Sequence, residues 1–130
     1  MLFTKLRASF LYGRALNRFY RRKYEDAARL LEKSLKLDPF DERNELTLVY
    51  LGRSYLALGR LKEAMELLSR AYQPYFQRKA TLESDFEQKE FLEFLNAYHE
   101  VLHKMGELDR AREVAHEAEE YVKTIRKAMG

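Results

Sequence analysis

Between Tyr50 and Tyr72 the segment YLGRSYLALGRLKEAMELLSRAY sets its small residues at fixed intervals. Gly52 and Gly59 lie seven apart, Ala64 follows five later and Ala71 seven after that. The same slots recur 37 residues earlier as Ala15, Arg22, Ala27 and Ser34, and 47 residues later as His99, Gly106, Ala111 and Ala118. Larger apolar slots keep the frame: Leu11, Leu48 and Leu95; Tyr24, Leu61 and Leu108; Leu31, Leu68 and Ala115. A frame repeated three times constrains the fold strongly, because each copy has to build the same local unit.

That unit is a helical hairpin. Small residues let two antiparallel helices approach closely. A glycine ends the first helix by turning left-handed. The apolar residue two positions on packs the turn, and the alanine after it admits the partner helix. Only 5 Gly and 2 Pro interrupt 130 residues, so helices should dominate. With 46% hydrophobic and 35% charged residues the chain is globular. It holds no cysteine, which removes disulfides and thiolate sites. The pattern predicts six helices, at roughly 3–21, 24–37, 40–58, 61–73, 84–105 and 107–128. Pro74 should end or kink the fourth. Ser84-Asp85-Phe86-Glu87 reads as a capping box that opens the fifth.

The segments YLGRSYLALGRLKEAMELLSRAY and RRKYEDAARLLEKSLKLDP, the second ending in Asp38-Pro39, resemble the tetratricopeptide repeat. The resemblance covers about residues 8–125 as three degenerate repeats, at about 8–39, 45–76 and 92–125, in one domain of residues 1–130. The spacings of 37 and 47 exceed the usual 34, so residues are inserted, first around Phe40-Asp41-Glu42 and then within Gln73–Phe91. Arg22 stands where the family has a turn glycine, and Arg14 where a leucine is expected, so the first repeat should be the less regular one at its turn. The resemblance implies an all-α, right-handed α-solenoid of three antiparallel hairpins, with the last helix as cap. That helix carries Leu108, Ala111, Ala115, Ala118, Val122 and Ile125 on one stripe. It also implies a protein-interaction scaffold that binds a peptide or amphipathic helix of another protein, with no cofactor and no catalysis.

In such stacks the first helix of each hairpin lines the concave side. Helical spacing then selects Tyr12, Leu16 and Phe19 with Tyr20 beside them, then Val49, Arg53 and Leu56 with Tyr50, then Asn96, Glu100 and His103. Family members that clamp a terminal carboxylate use Lys, Asn and Arg at such places. Here Arg53 is the one cation among them, so a carboxylate clamp is not expected. The lining runs from aromatic and apolar to polar and acidic.

A competing motif overlaps the third repeat. HEVLHKMGELD, residues 99–109, places His99 and His103 one helical turn apart with Glu100 beside the first, the arrangement of many zinc hydrolases. The repeat frame accounts for Gly106 as the turn, Leu108 as its packing residue and Asp109 in an acidic first turn. A zinc site needs a third ligand, for which Asp109 or His116 would have to serve. No strands precede the motif, and the methionine turn of that protease class is missing. No enzyme is therefore expected, and His99 and His103 are kept only as metal candidates.

Charge is distributed unevenly. Residues 1–24 hold seven of the 24 Lys and Arg and none of the 21 Asp and Glu, so with a net charge of +3 the remainder carries −4. Leu2, Phe3, Leu6 and Phe10 could form an apolar stripe there and dock on an anionic membrane surface. The missing aromatic-basic module speaks against nucleic acid. Self-association through the groove is a further possibility. No apolar run is long enough to span a bilayer, and no signal peptide is legible, so a cytoplasmic location is expected.

Overall fold

The computed structural model describes residues 2–39 and 43–130. They form α1 (Leu2–Tyr20), α2 (Tyr24–Leu37), α3 (Asn44–Ala57), α4 (Leu61–Gln77), a 3₁₀ turn (Lys79–Thr81), α5 (Asp85–Lys104) and α6 (Leu108–Met129). Among the described residues there is no strand. The fold is all-α and of the helical-repeat kind. The chain divides into two compact units, Met1–Phe76 and Gln77–Gly130. The first holds the hairpins α1–α2 and α3–α4, and the second holds α5–α6.

All three hairpins turn by one mechanism. Arg22, Gly59 and Gly106 are left-handed, with φ of 63°, 79° and 83°. After each, a backbone N–H reaches back over the helix end: Lys23 to the Arg18 carbonyl at 2.9 Å, Arg60 to Tyr55 at 2.8 Å and Glu107 to Leu102 at 2.9 Å. The left-handed residue itself donates to Phe19, Leu56 and His103 respectively. These paired bonds are the Schellman termination, which satisfies carbonyls that a helix end otherwise leaves open. Arg22 thus adopts the glycine geometry without being glycine.

In the first unit the small slots are the contact points. Ala8, Ala15, Ala27, Ala28, Ala64 and Ala71 are all buried. α1 packs on α2, and α2 on α3. Gly52 lies so close to α4 that a Cβ there would stand 2.7 Å from Leu68 Cγ and Cδ2. Ser34 fills its slot with its hydroxyl satisfied, donating to the Ala8 carbonyl at 2.9 Å. α2 has the amphipathic form expected of a repeat's second helix, with Ala27, Ala28, Leu31 and Ser34 inward and Glu25 and Asp26 in its first turn.

One expected helix boundary needs correcting. Pro74 does not end α4, which continues to Gln77. Proline removes one N–H and crowds the carbonyl four residues back, but less than one turn follows it here. That turn is anchored by buried Tyr75 and by Tyr72 stacked on Phe76 at 5.4 Å. α3 is described from Asn44 rather than 40, and the expected extra turn around Phe40-Asp41-Glu42 lies outside the described residues.

In the second unit, Ser84 and Glu87 form the capping box. The Glu87 N–H donates to Ser84 Oγ at 3.1 Å, and the Ser84 N–H to Glu87 Oε1 at 3.2 Å. Hydrogen bonds from the Ser84 hydroxyl, then from its N–H, hold the Glu87 carboxyl below its ordinary pKa. Phe91, Phe94 and Tyr98 are fully buried along α5, and Phe91 meets Tyr121 of α6 edge-on at 4.9 Å. The inward face of α6 centres on Ala111, Val114 and Tyr121. Ala115, Ala118, Val122 and Ile125 of the expected stripe are only half-buried, and Leu108 is exposed.

The turn geometry predicts opposite effects at equivalent positions. An L-residue held left-handed costs about 1–2 kcal/mol. Glycine returns part of that through its greater freedom when unfolded, so Arg22→Gly should stabilise the chain by about 0.5–1 kcal/mol. Gly59→Ala should destabilise it by about 1 kcal/mol. Urea unfolding midpoints read both, and unchanged midpoints would remove the turns from the account.

Candidate functional site

The expected groove residues of the first unit form an aromatic cluster crossed by arginines. Phe19 of α1 is its hub, meeting Tyr20 at 5.3 Å, Tyr24 at 5.5 Å and Tyr50 of α3 at 5.1 Å, each edge-on. Tyr12 meets Tyr50 at 6.5 Å. The Tyr20 and Tyr50 hydroxyls share a hydrogen bond of 2.8 Å. The Arg53 guanidinium lies 4.8 Å above the Phe19 ring and 5.5 Å from that of Tyr50. A guanidinium on aromatic faces is attracted by the ring quadrupole, and its orientation is thereby restricted.

Burial sorts these residues by reach. Phe19 is 7% exposed, Tyr50 4% and Val49 2%, so they lie beneath the surface. Tyr20 is 49% exposed, and Tyr12, Leu16, Arg53 and Leu56 are half-buried. A ligand on this face would meet Tyr12, Leu16, Tyr20 and Arg53 over a floor of Phe19 and Tyr50.

The spacing rule passed over Arg43. This residue precedes α3, lies 5.6 Å from the Tyr12 ring centre and donates to Ser9 Oγ at 2.6 Å. Its signal is present in the sequence, since Arg43 stands seven before Tyr50 and Ser9 three before Tyr12, on the same helical rows.

Asn96, Glu100 and His103 belong to the second unit, where they are exposed along α5. With His99 and Lys104 they border a shallow, open depression. Lys104 donates to Glu100 Oε2 at 3.3 Å. The His99 and His103 rings stand 6.1 Å apart. Asp109, offered as a third ligand, is exposed and pairs with Arg112 at 3.4 Å. Among the described residues, no group of three or more His, Asp or Glu side chains is placed to hold a metal ion.

A deeper cavity of about 410 Å³ lies between the 3₁₀ turn and α6. Leu82, Tyr121, Ile125 and Ala128 give it apolar walls, with Glu83 and Glu120 also lining it. Burial, then the nearby Glu87 charge, pushes the Tyr121 phenol above its ordinary pKa.

Comparison with known proteins adds sequence-level likeness. Residues 18–77 match the family model of the tetratricopeptide repeat. The chain is 35% identical over 71 residues to the MAU2 chromatid cohesion factor homolog of Aedes aegypti, covering 52% of this chain and 12% of that protein. The counterpart from Nematostella vectensis is 37% identical over 71 residues, with the same coverage. That from Drosophila persimilis is 32% identical over 71 residues, again at 52% and 12%. The chain thus spans about an eighth of the length of these relatives. No solved structure matches it.

The cluster geometry separates a structural ring from a reachable one. Phe19→Ala should destabilise the first unit by about 3–5 kcal/mol, as for other buried aromatics. Tyr20→Phe, which removes one part-exposed hydroxyl, should cost about 1 kcal/mol or less. Thermal unfolding checks both, and a mild Phe19→Ala would mean that the ring is not the hub.

Proposed function

We propose that this chain, a tetratricopeptide repeat protein over residues 18–77, is a non-catalytic scaffold that binds a segment of another protein on the aromatic face of α1 and α3. The observation that carries the reading is Arg53, half-buried and held over the Phe19 and Tyr50 rings. A cation fixed over an aromatic floor suits an amphipathic helix or extended peptide with a large apolar anchor and a neighbouring acid. The apolar anchor lies against Tyr12, Leu16 and Tyr20, and the acid pairs with Arg53. Likeness to proteins named as chromatid cohesion factors supports a scaffold role at that general level. A cytoplasmic location is proposed alongside it; among the described residues no helix is long and apolar enough to cross a membrane.

Selection of random peptides on the immobilised chain tests the groove. The enriched peptides should share a large apolar residue close to an acid. Tyr12→Ala/Tyr20→Ala should weaken them by about 2 kcal/mol or more, in the range of buried anchor residues. Arg53→Gln should reduce the preference for the acid. Phe19 is unsuited to this test, because its loss would disturb the fold. A folded double variant that binds the selected peptides as wild type does would move the site elsewhere.

A further inference from the structure

α1 has two apolar faces, and the groove and the core account for one of them. Ala8, Ala15 and Phe19 point inward. On the other side Leu2, Phe3, Leu6 and Phe10 are 70%, 84%, 57% and 64% exposed. Leu2, Leu6 and Phe10 follow one another at i, i+4 and i+8, and Phe3 lies beside them, so the four make one continuous stripe over three turns. Other large exposed apolar side chains, such as Leu58, Phe86 and Met105, are scattered singly through the chain. Single exposed apolar residues are ordinary on a protein surface, whereas a contiguous stripe marks an interaction site.

The charge around the stripe indicates the kind of surface it meets. Lys5, Arg7 and Arg14 are exposed on the same helix, and the Arg14 guanidinium lies 5.8 Å from the Phe10 ring. Residues 1–24 contain seven cations and no acid. A second copy of this face would therefore set cations against cations. Phe and Leu flanked by long, flexible cations are the composition of helices that lie in a lipid interface. There the rings enter the acyl boundary while Lys and Arg extend to the headgroups. Anionic headgroups add an attraction for each basic residue near the surface.

We propose that the outward face of α1 docks the chain on an anionic lipid membrane, with Leu2, Phe3, Leu6 and Phe10 entering the interface and Lys5, Arg7 and Arg14 meeting the headgroups. The docking stripe lies at the start of α1, whereas the Phe19 ring beneath Arg53 lies in its last turn. The attraction is electrostatic in part and weakens as salt screens it.

Flotation of the full 130-residue chain with vesicles tests this. Phosphatidylcholine vesicles containing phosphatidylglycerol should carry the wild type, whereas phosphatidylcholine alone should not. Phe3→Ser/Phe10→Ser should lower partition by about tenfold or more, the loss expected for two interfacial rings. Arg7→Gln/Arg14→Gln should lower it by about tenfold or more, and raised salt should mimic that variant. All four positions are exposed, and circular dichroism confirms that the variants remain helical. No flotation of the wild type, equal flotation on neutral vesicles, or a folded Phe variant that floats as wild type does would each overturn the proposal. So would sedimentation showing an oligomer that the Phe variant dissociates, without flotation, because the stripe would then be a protein interface.

Discussion

The contact between Gly52 and Leu68 sets the terms for the rest of the first unit. With no side chain at position 52, α4 can press Leu68 against the α3 backbone, to a separation that a methyl group would violate. Buried Ala15, Ala27, Ala64 and Ala71 extend the same economy of volume to the other helix contacts. Helices packed this closely must be joined by short turns, which is where the left-handed Arg22 and Gly59 enter. Close packing on one side of α1 and α3 also brings their aromatic residues together. Phe19, Tyr20 and Tyr50 can then form a floor beneath Arg53.

Much of this was legible because the turn frame is geometric. Gly59 and Gly106 announced left-handed turns, whereas the missing glycine at Arg22 pointed to a less regular turn, yet the chain keeps the left-handed geometry there. Ser84 and Glu87 were legible for a similar reason, since a capping box is local and needs no tertiary partner. Pro74 was misread because proline's cost depends on how much helix follows and on what anchors it, and buried Tyr75 is a tertiary fact. Helical spacing placed the expected groove residues along their helices but could not set their depth. In α3 every residue from Thr47 to Tyr55 except Arg53 is buried, so helical spacing cannot single out an outward face there. Val49 and Tyr50 were selected beside Arg53 on spacing, yet only Arg53 is half-exposed. The α6 stripe failed by a smaller margin: alanines at Ala115 and Ala118 hold the helical period, while the larger Val114 and Tyr121 claim the interior.

The zinc-like motif shows how the repeat frame and a catalytic motif can share the same letters. His99 and His103 follow the four-residue helical spacing that ligands use, but any two residues four apart on a helix do so. Their surroundings are polar groups of α5 and α6, with Glu100 paired to Lys104 and Asp109 to Arg112. The basic, aromatic character of α1 behaves differently. Its inward residues serve the core and its outward ones do not, and that division supports two separate surfaces on one helix.

The dependence of the fold on close helix approach is tested most directly by two glycine-to-alanine changes of opposite sign. In a helix this substitution ordinarily stabilises by about 1 kcal/mol. At Gly13, on α1, a Cβ would meet nothing within 4 Å, so Gly13→Ala should raise the urea midpoint. At Gly52 the same Cβ would stand 2.7 Å from the side chain of fully buried Leu68. Overpacking of this kind costs about 1–3 kcal/mol, so Gly52→Ala should lower the midpoint. A Gly52→Ala chain that is as stabilised as Gly13→Ala would contradict the account, because α3 and α4 would then have room that the close-packed hairpin does not allow.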